Sequence, residues 1–269
     1  MIVFLCIICL LAAGYLLILN GRTGHKGLPA LRGWAYAHRG LHGNGIPENS
    51  MAAFQAALEH GYGIELDIHL MKDGNLAVIH DSSLLRTAGV DVQIEDLTQE
   101  DLAQYPLEGT REIIPLFSQV LALHAGKAPL IIELKPERNN HYALVAAAVQ
   151  AMDGYEGIWC MESFDPRCVH TLKKNYPQVI RGQLSENFPK TPGSKLPAVL
   201  KWVMALLLPN VLTKPDFVAF RFRDRKLLSN RLCCDLWGLQ EVSWTLQSQE
   251  EYDAAVADGC IPIFEGFCP

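Results

Sequence analysis

The strongest constraint on the fold of this chain is an alternation. Short apolar runs recur at 35–39, 63–68, 130–135, 157–163, 179–184, 216–221, 241–246 and 261–265. Helical patterns fit between most of them, at 50–60, 115–124, 141–152, 166–175, 225–236 and 248–258. Parallel strands need a crossover of a dozen or more residues, and a helix supplies one. Eight strands alternating with helices over about 235 residues therefore predict an α/β fold, the (β/α)8 TIM barrel. A doubly wound open sheet is the competing arrangement, but its GxGxxG fingerprint after the first strand is absent. One run breaks the alternation. Residues 76–80 follow the strand ending near Leu70 too closely for a crossover, and Asp73-Gly74 is a hairpin turn signal. If the turn centres there, Asp67 pairs opposite His80.

The amino terminus has its own constraint. From Met1 to Leu19 only Gly14 lies outside the hydrophobic set, a run long enough to cross a hydrocarbon core of roughly 30 Å. No Lys or Arg precedes it, whereas a cleaved signal peptide would want a basic leading region, and a buried helix of the fold is the third reading. Arg22, Lys26 and Arg32 follow it, so the positive-inside rule puts the main domain in the cytoplasm, on a single-pass membrane protein. The expected organisation is a transmembrane anchor at 1–20, a Gly-rich basic linker at 21–33 and a catalytic domain at 34–269. Eight cysteines show no zinc spacing or disulfide rhythm, which fits a reducing compartment. A net charge of −6 excludes a general nucleic-acid partner. The apolar stretch 196–213 reads either as a helix packed on the barrel or as a second membrane-touching surface, with Trp202 and its leucines suited to an interface.

Chemistry concentrates at predicted strand ends. Successive strand side chains point to opposite faces. Ile64, Leu66 and Ile68 therefore share one face, and Glu65, Asp67 and His69 the other. In a barrel the apolar face meets the helices, so both acids point inward at the C-terminal end, where this fold carries its active site. Two carboxylates there repel unless a cation or shared proton intervenes, and hard oxygen ligands favour Ca²⁺ or Mg²⁺. An acidic strand end bridged by Arg or Lys is the bland alternative. Strand 130–135 repeats the pattern, with Glu133 as a third carboxylate and Lys135 as a cation for an anionic substrate, or as an internal ion-pair partner of the acids. His38 ends the first strand as an acid/base candidate, Arg39 offers a fork for phosphate, and Gly40 permits a sharp turn. Asn49 or Ser50 can cap the following helix. His80-Asp81 supplies a second histidine.

The set His38-Arg39-Gly40, Pro47-Glu48-Asn49-Ser50, Glu65-Leu66-Asp67, Lys72-Asp73-Gly74, His80-Asp81 and Glu133-Leu134-Lys135 resembles the glycerophosphodiester phosphodiesterase family. Ser163-Phe164-Asp165 and Trp244-Thr245 are similar to its later strand-end motifs. The resemblance implies a barrel enzyme that splits glycerophosphodiesters into an alcohol and glycerol 3-phosphate with a divalent cation, Ca²⁺ or Mg²⁺. It implies Glu65, Asp67 and Glu133 as metal ligands, His38 and His80 as the acid/base pair, and Arg39, Lys135 and Trp244 as substrate contacts. The terminal Ile263-Phe264-Glu265-Gly266 departs from the family's usual Thr-Asp ending, and no large capping insertion separates the hairpin from Glu133. Two other functions compete: a membrane-associated phospholipase of lysophospholipase D or C type, and a non-catalytic, membrane-tethered sensor.

Overall fold

The computed structural model describes residues 1–193 and 196–269, so Ser194 and Lys195, just before the apolar stretch 196–213, lie outside the described residues. The chain begins with helix α1 (Ile2–Leu19). It continues through β1 (Tyr36–His38), α2 (Met51–Glu59), β2 (Gly63–Leu70), β3 (Leu76–Val78), α3 (Leu85–Ala88), α4 (Phe117–His124) and β4 (Leu130–Leu134). Then come α5 (His141–Ala151), β5 (Trp159–Ser163), α6 (Pro166–Asn175), β6 (Arg181–Ser185), α7 (Ala198–Ala205) and α8 (Asn210–Thr213). The last elements are β7 (Phe217–Arg221), α9 (Leu228–Arg231), β8 (Gln240–Leu246), α10 (Gln249–Ala257) and β9 (Ile261–Phe264).

The strands order as β1-β9-β8-β7-β6-β5-β4-β2-β3, and β1 also pairs with β2. Every pairing except β2–β3 is parallel, so β1, β2 and β4 to β9 close an eight-stranded barrel with β3 outside the ring. Face alternation runs as the residue pattern predicts. Ile64, Leu66, Ile68, Leu130, Ile132 and Leu134 pack outward against Phe54, Phe117 and Leu144 of the helices. Glu65, Asp67 and Glu133 take the inner face.

The hairpin register differs from the expected one. Ile68 pairs with Val78 and Leu70 with Leu76, and the Ile79 amide donates to the Asp67 carbonyl at 3.1 Å. Asp67 thus lies opposite Ile79 rather than His80. The turn uses three residues, Lys72-Asp73-Gly74, with Gly74 left-handed at φ 87° and its amide donating to the Met71 carbonyl. A type I turn closed by a left-handed glycine needs this extra residue, and it moves the register by one. Residues 81–116, which show no clear pattern in sequence, wrap the hairpin in short helical turns around a core including Ile79, Leu84, Ile94, Leu102 and Leu107.

Residues 21–33 are not a free linker. Arg22 pairs with Asp216 at 2.5 Å and donates to the Pro177 and Val179 carbonyls, all just before β6 and β7. Leu28 and Leu31, on a short 3-10 turn, are buried with Tyr36, Ile180, Phe217 and Ile263 inside the barrel floor. The Gly-rich composition allows the tight path, while two leucines supply the anchoring. Leu31→Ala is accordingly expected to cost about 2–5 kcal/mol, as for other buried leucines. Denaturant unfolding of the full chain would read that loss, and an unchanged midpoint would mean the segment is a tether after all.

Candidate active site

The site occupies the C-terminal mouth of the barrel. His38 closes β1, and the chain must then turn away at once. Arg39 takes a left-handed φ of 55° and Gly40 one of 78°. A Cβ on Gly40 would sit 2.8 Å from the Ala53 backbone, so the close approach to α2 requires glycine. Asn49 is also left-handed, at φ 52°, and its amide donates to the Arg39 carbonyl at 2.9 Å. Such backbone in non-glycine residues costs free energy and clusters at functional sites. Here it turns the Asn49 side chain inward, where Nδ2 donates to Asp67 Oδ2 at 2.8 Å. Ser50, not Asn49, caps α2, its Oγ accepting from the Ala53 amide.

Glu65, Asp67 and Glu133 converge because β2 and β4 pair Asp67 with Glu133 directly. One carboxylate oxygen from each lies within 4.8 Å of the others, and all three are buried. Burial, then repulsion from Asp67 and Glu133, pushes the Glu65 carboxyl well above its usual range. Burial likewise pushes Glu133 up to about 7. Asp67 goes the other way: burial would raise it, but Lys135, His80, Arg39 and Asn49 together hold it well below the usual range. Lys135 Nζ bridges Asp67 Oδ1 at 3.1 Å and Glu133 Oε1 at 2.8 Å, the internal ion pair that was the bland reading of this lysine. Arg39 pairs with Glu48 at 2.9 Å, while its buried Nε stands 3.5 Å from Asp67 and makes no hydrogen bond. A fourth acid, Glu162, pairs across the sheet with Glu133; burial raises its carboxyl and leaves Oε2 without a partner. Four inward carboxylates against two cations, one acid oxygen orphaned and three acids pushed towards neutrality, make a donor set that fits a hard divalent cation at Glu65, Asp67 and Glu133.

The histidines flank this cluster. His38 Nδ1 lies 3.1 Å from Glu265 Oε2, and His42 Nε2 lies 3.3 Å from Glu265 Oε1. Those two histidines hold the Glu265 carboxyl well below its usual range. An ionised carboxylate only accepts, so His38 Nδ1 carries the proton and Nε2, 3.9 Å from Glu65, is left free as a base. His80 Nδ1 lies 2.7 Å from Asp81 in the same way. Burial lowers both histidines, and Lys135 lowers His80 further. The His80 carbonyl is held by His69 Nε2 at 3.2 Å, and His69 Nδ1 meets Glu95 at 2.6 Å. His80 therefore reaches the mouth despite the shifted register, because the chain leaves β3 at Val78 and bends inward. With Glu133, Lys135, Ser163, Phe164 and Asp165 it lines a cavity of about 710 Å³. Ser82, Ser83 and Gln93 of the 81–116 segment wall its other side, so a small rim exists where no insertion was expected. Trp244 stacks edge-on against Phe164 at 5.5 Å, and its buried Nε1 has no acceptor among the described residues.

All eight predicted site residues thus belong to one end of the barrel. Sequence reasoning missed Glu265, His42, Glu162, the buried Asn49 contact and the His69–Glu95 support. Glu265 had a readable signal, an acid at the C-terminal end of the last strand. Glu162 had the same signal near the end of the run 157–163, and only its contact with Glu133 is set by register.

Fold and site together define a (β/α)8 barrel that gathers buried carboxylates, two cations and two histidines at its C-terminal mouth. A model of the glycerophosphoryl diester phosphodiesterase family matches residues 38–257. The chain belongs to that family, and so to the phosphoric diester hydrolases. A curated glycerophosphodiester phosphodiesterase of Caldanaerobacter subterraneus subsp. tengcongensis is 29% identical over 233 residues, 83% of this chain and 89% of that protein. One from Bacillus altitudinis is 42% identical over 107 residues, but the match spans only 37% of this chain and 43% of the relative. Among solved structures, an Oleispira antarctica phosphodiesterase in complex with the product sn-glycerol-3-phosphate superposes with a TM-score of 0.73. At 20% identity it covers 91% of this chain and 95% of its own, a likeness of fold.

Proposed function

We propose that this protein hydrolyses glycerophosphodiesters to an alcohol and glycerol 3-phosphate, with His38 and His80 as the acid/base pair. The observation that carries the reading is the pairing of two carboxylate-oriented histidines with a buried carboxylate–lysine–arginine cluster at one barrel mouth. Glu65, Asp67 and Glu133 are proposed to hold Ca²⁺ or Mg²⁺, which supplies Lewis-acid stabilisation of phosphoryl charge when bound. With the acids so occupied, Lys135 and Arg39 can turn their N–H groups to the phosphate oxygens, where preorganised donors stabilise the transition state. One histidine takes a proton from the attacking oxygen as the new P–O bond forms. The other gives a proton to the alcohol oxygen as the old bond breaks. Both rings start neutral at neutral pH, so one must gain its proton before acting as the acid. The attacking oxygen belongs to water or to the substrate's own glycerol hydroxyl, and a cyclic phosphate seen by ³¹P NMR identifies the second route. Trp244 and Phe164 form the apolar wall on which the alcohol portion rests.

We further propose that α1 is the membrane anchor, residues 21–33 the floor that joins it to the barrel, and 34–269 the catalytic domain on the cytoplasmic side, where Arg22, Lys26 and Arg32 follow the span. A second reading, a lysophospholipase acting on lipid diesters, is favoured by α1 and by the exposed Val199, Leu200 and Trp202 of α7. The full chain, assayed with Ca²⁺ or Mg²⁺, is expected to release glycerol 3-phosphate from glycerophosphocholine. Faster turnover of lysophosphatidylcholine would favour the second reading, and turnover of neither would overturn both.

A further inference from the structure

Helix α1 is shared between a free segment and the barrel. Its last turns belong to the barrel. Leu19 is buried with Leu207, Val218, Phe220 and Leu239. The Tyr15 hydroxyl donates to the Leu206 carbonyl at 3.1 Å, and Trp237 Nε1 donates to the Leu16 carbonyl at 2.8 Å. Only Ile2–Gly14 is free of the protein, every residue of it exposed. That stretch rises about 20 Å at roughly 1.5 Å per residue. A hydrocarbon core is about 30 Å thick, so Ile2–Gly14 by itself covers about two thirds of it.

The barrel surface beside the helix exposes several apolar side chains, next to an exposed Arg231–Asp235 ion pair. The neighbours of α1 are α8 and the π-helical turn Leu232–Leu236. They expose Leu212 by 59% and Leu236 by 54%. Leu206, the acceptor for Tyr15, directly follows α7, and α7 exposes Val199 by 73% and Trp202 by 58%. Both lie within about 10 Å of Leu206 along the helix axis. Met204 and Ala205 on the same helix are buried, so α7 is held to the barrel by one end and turns apolar side chains outward at the other.

We propose that the barrel itself docks on the lipid bilayer that α1 enters, with Trp202, Val199, Leu212 and Leu236 sunk into the interface as a collar around the helix. The occupant of this surface is lipid because the collar is continuous with the span and adds exposed apolar side chains at its foot. Tryptophan and leucine are residues that favour the edge of a span. The segment joining β6 to α7 carries Phe188, whose ring meets Phe164 at 5.8 Å, and Phe164 meets Trp244. Part of the aromatic wall of the active site is thus carried by the segment that leads from β6. The inference rests on the reading of α1 as a span and not on the chemistry at the mouth.

The test uses the full-length chain reconstituted into phosphatidylcholine vesicles with brominated acyl chains, comparing wild type with W202F by tryptophan fluorescence. Trp202 is exposed and the exchange to Phe conservative, so folding is not at stake. Bromine-dependent quenching is expected to fall by roughly a third or more in W202F, because an interfacial tryptophan lies at head-group depth. Equal quenching in both proteins, with both floating with the vesicles, would overturn docking while leaving α1 as a span. Failure of the wild-type chain to float with the vesicles would overturn the span and the docking together.

Discussion

His38→Ala or His80→Ala in the full-length chain is expected to lower kcat on glycerophosphocholine at least about 100-fold, the usual worth of a positioned acid or base. Each histidine projects into the mouth with its side chain partly accessible, 15% for His38 and 31% for His80. Truncation of either therefore opens space at the rim instead of a void in the core, and the unfolding midpoint should stay near wild type. The loss should fall on kcat rather than KM, because neither ring makes the ground-state phosphate contact assigned to Arg39 and Lys135. The double variant should be little worse than the poorer single one, since groups that act in one proton-transfer sequence are not additive. Glu265→Gln tests the orientation beneath His38. It keeps the shape but removes the charge that fixes the Nδ1 proton, and a smaller loss than His38→Ala is expected. Wild-type turnover in both single alanine variants would remove the acid/base assignment.

How far the site could be read beforehand follows from what sets each position. The period of two along 63–70 depends only on the chain itself, so the inward turn of Glu65 and Asp67 was legible from alternate residues. The location of seven of the eight candidates follows from the barrel, once eight alternating units are recognised, whereas His80 follows β3 outside the ring. Pairing is less legible. Asp67 meets Ile79 because the turn closes on three residues, and Asp73-Gly74 looks the same in a two-residue turn. Asn49 reads as a helix cap, the commoner use of that residue type, but a left-handed backbone commits it to Asp67 instead. Glu265 and His42 meet across more than two hundred residues, a contact no local pattern encodes. The Gly-rich stretch 21–33 reads as flexible, yet two buried leucines make it the barrel floor.

Excess chelator is expected to stop turnover, and added Ca²⁺ or Mg²⁺ to restore it. The size follows from the carboxylate cluster. Several kcal/mol of transition-state charge stabilisation, the usual contribution of a Lewis acid, corresponds to a loss on the order of 10³-fold. Without a cation the cluster is also a source of instability, since Glu65, Glu133 and Glu162 are all pushed up by burial and by neighbouring carboxylates, Asp67 among them. A cation that binds only the folded chain stabilises it by mass action, about 2.7 kcal/mol when present at 100 times its Kd. The melting temperature of the full chain should therefore rise on adding the cation, independently of any assay of activity. Glu133→Gln keeps the side-chain volume and the contact with Lys135 while removing one anionic ligand, and Asp67→Asn does the same opposite Arg39. Both should lose most of the cation-dependent rise, and Glu162→Gln, outside the proposed ligand set, should keep it. Full activity in chelator, or a rise in melting temperature that survives both Glu133→Gln and Asp67→Asn, would mean that Lys135 and Arg39 alone balance these acids and that the cation sits elsewhere.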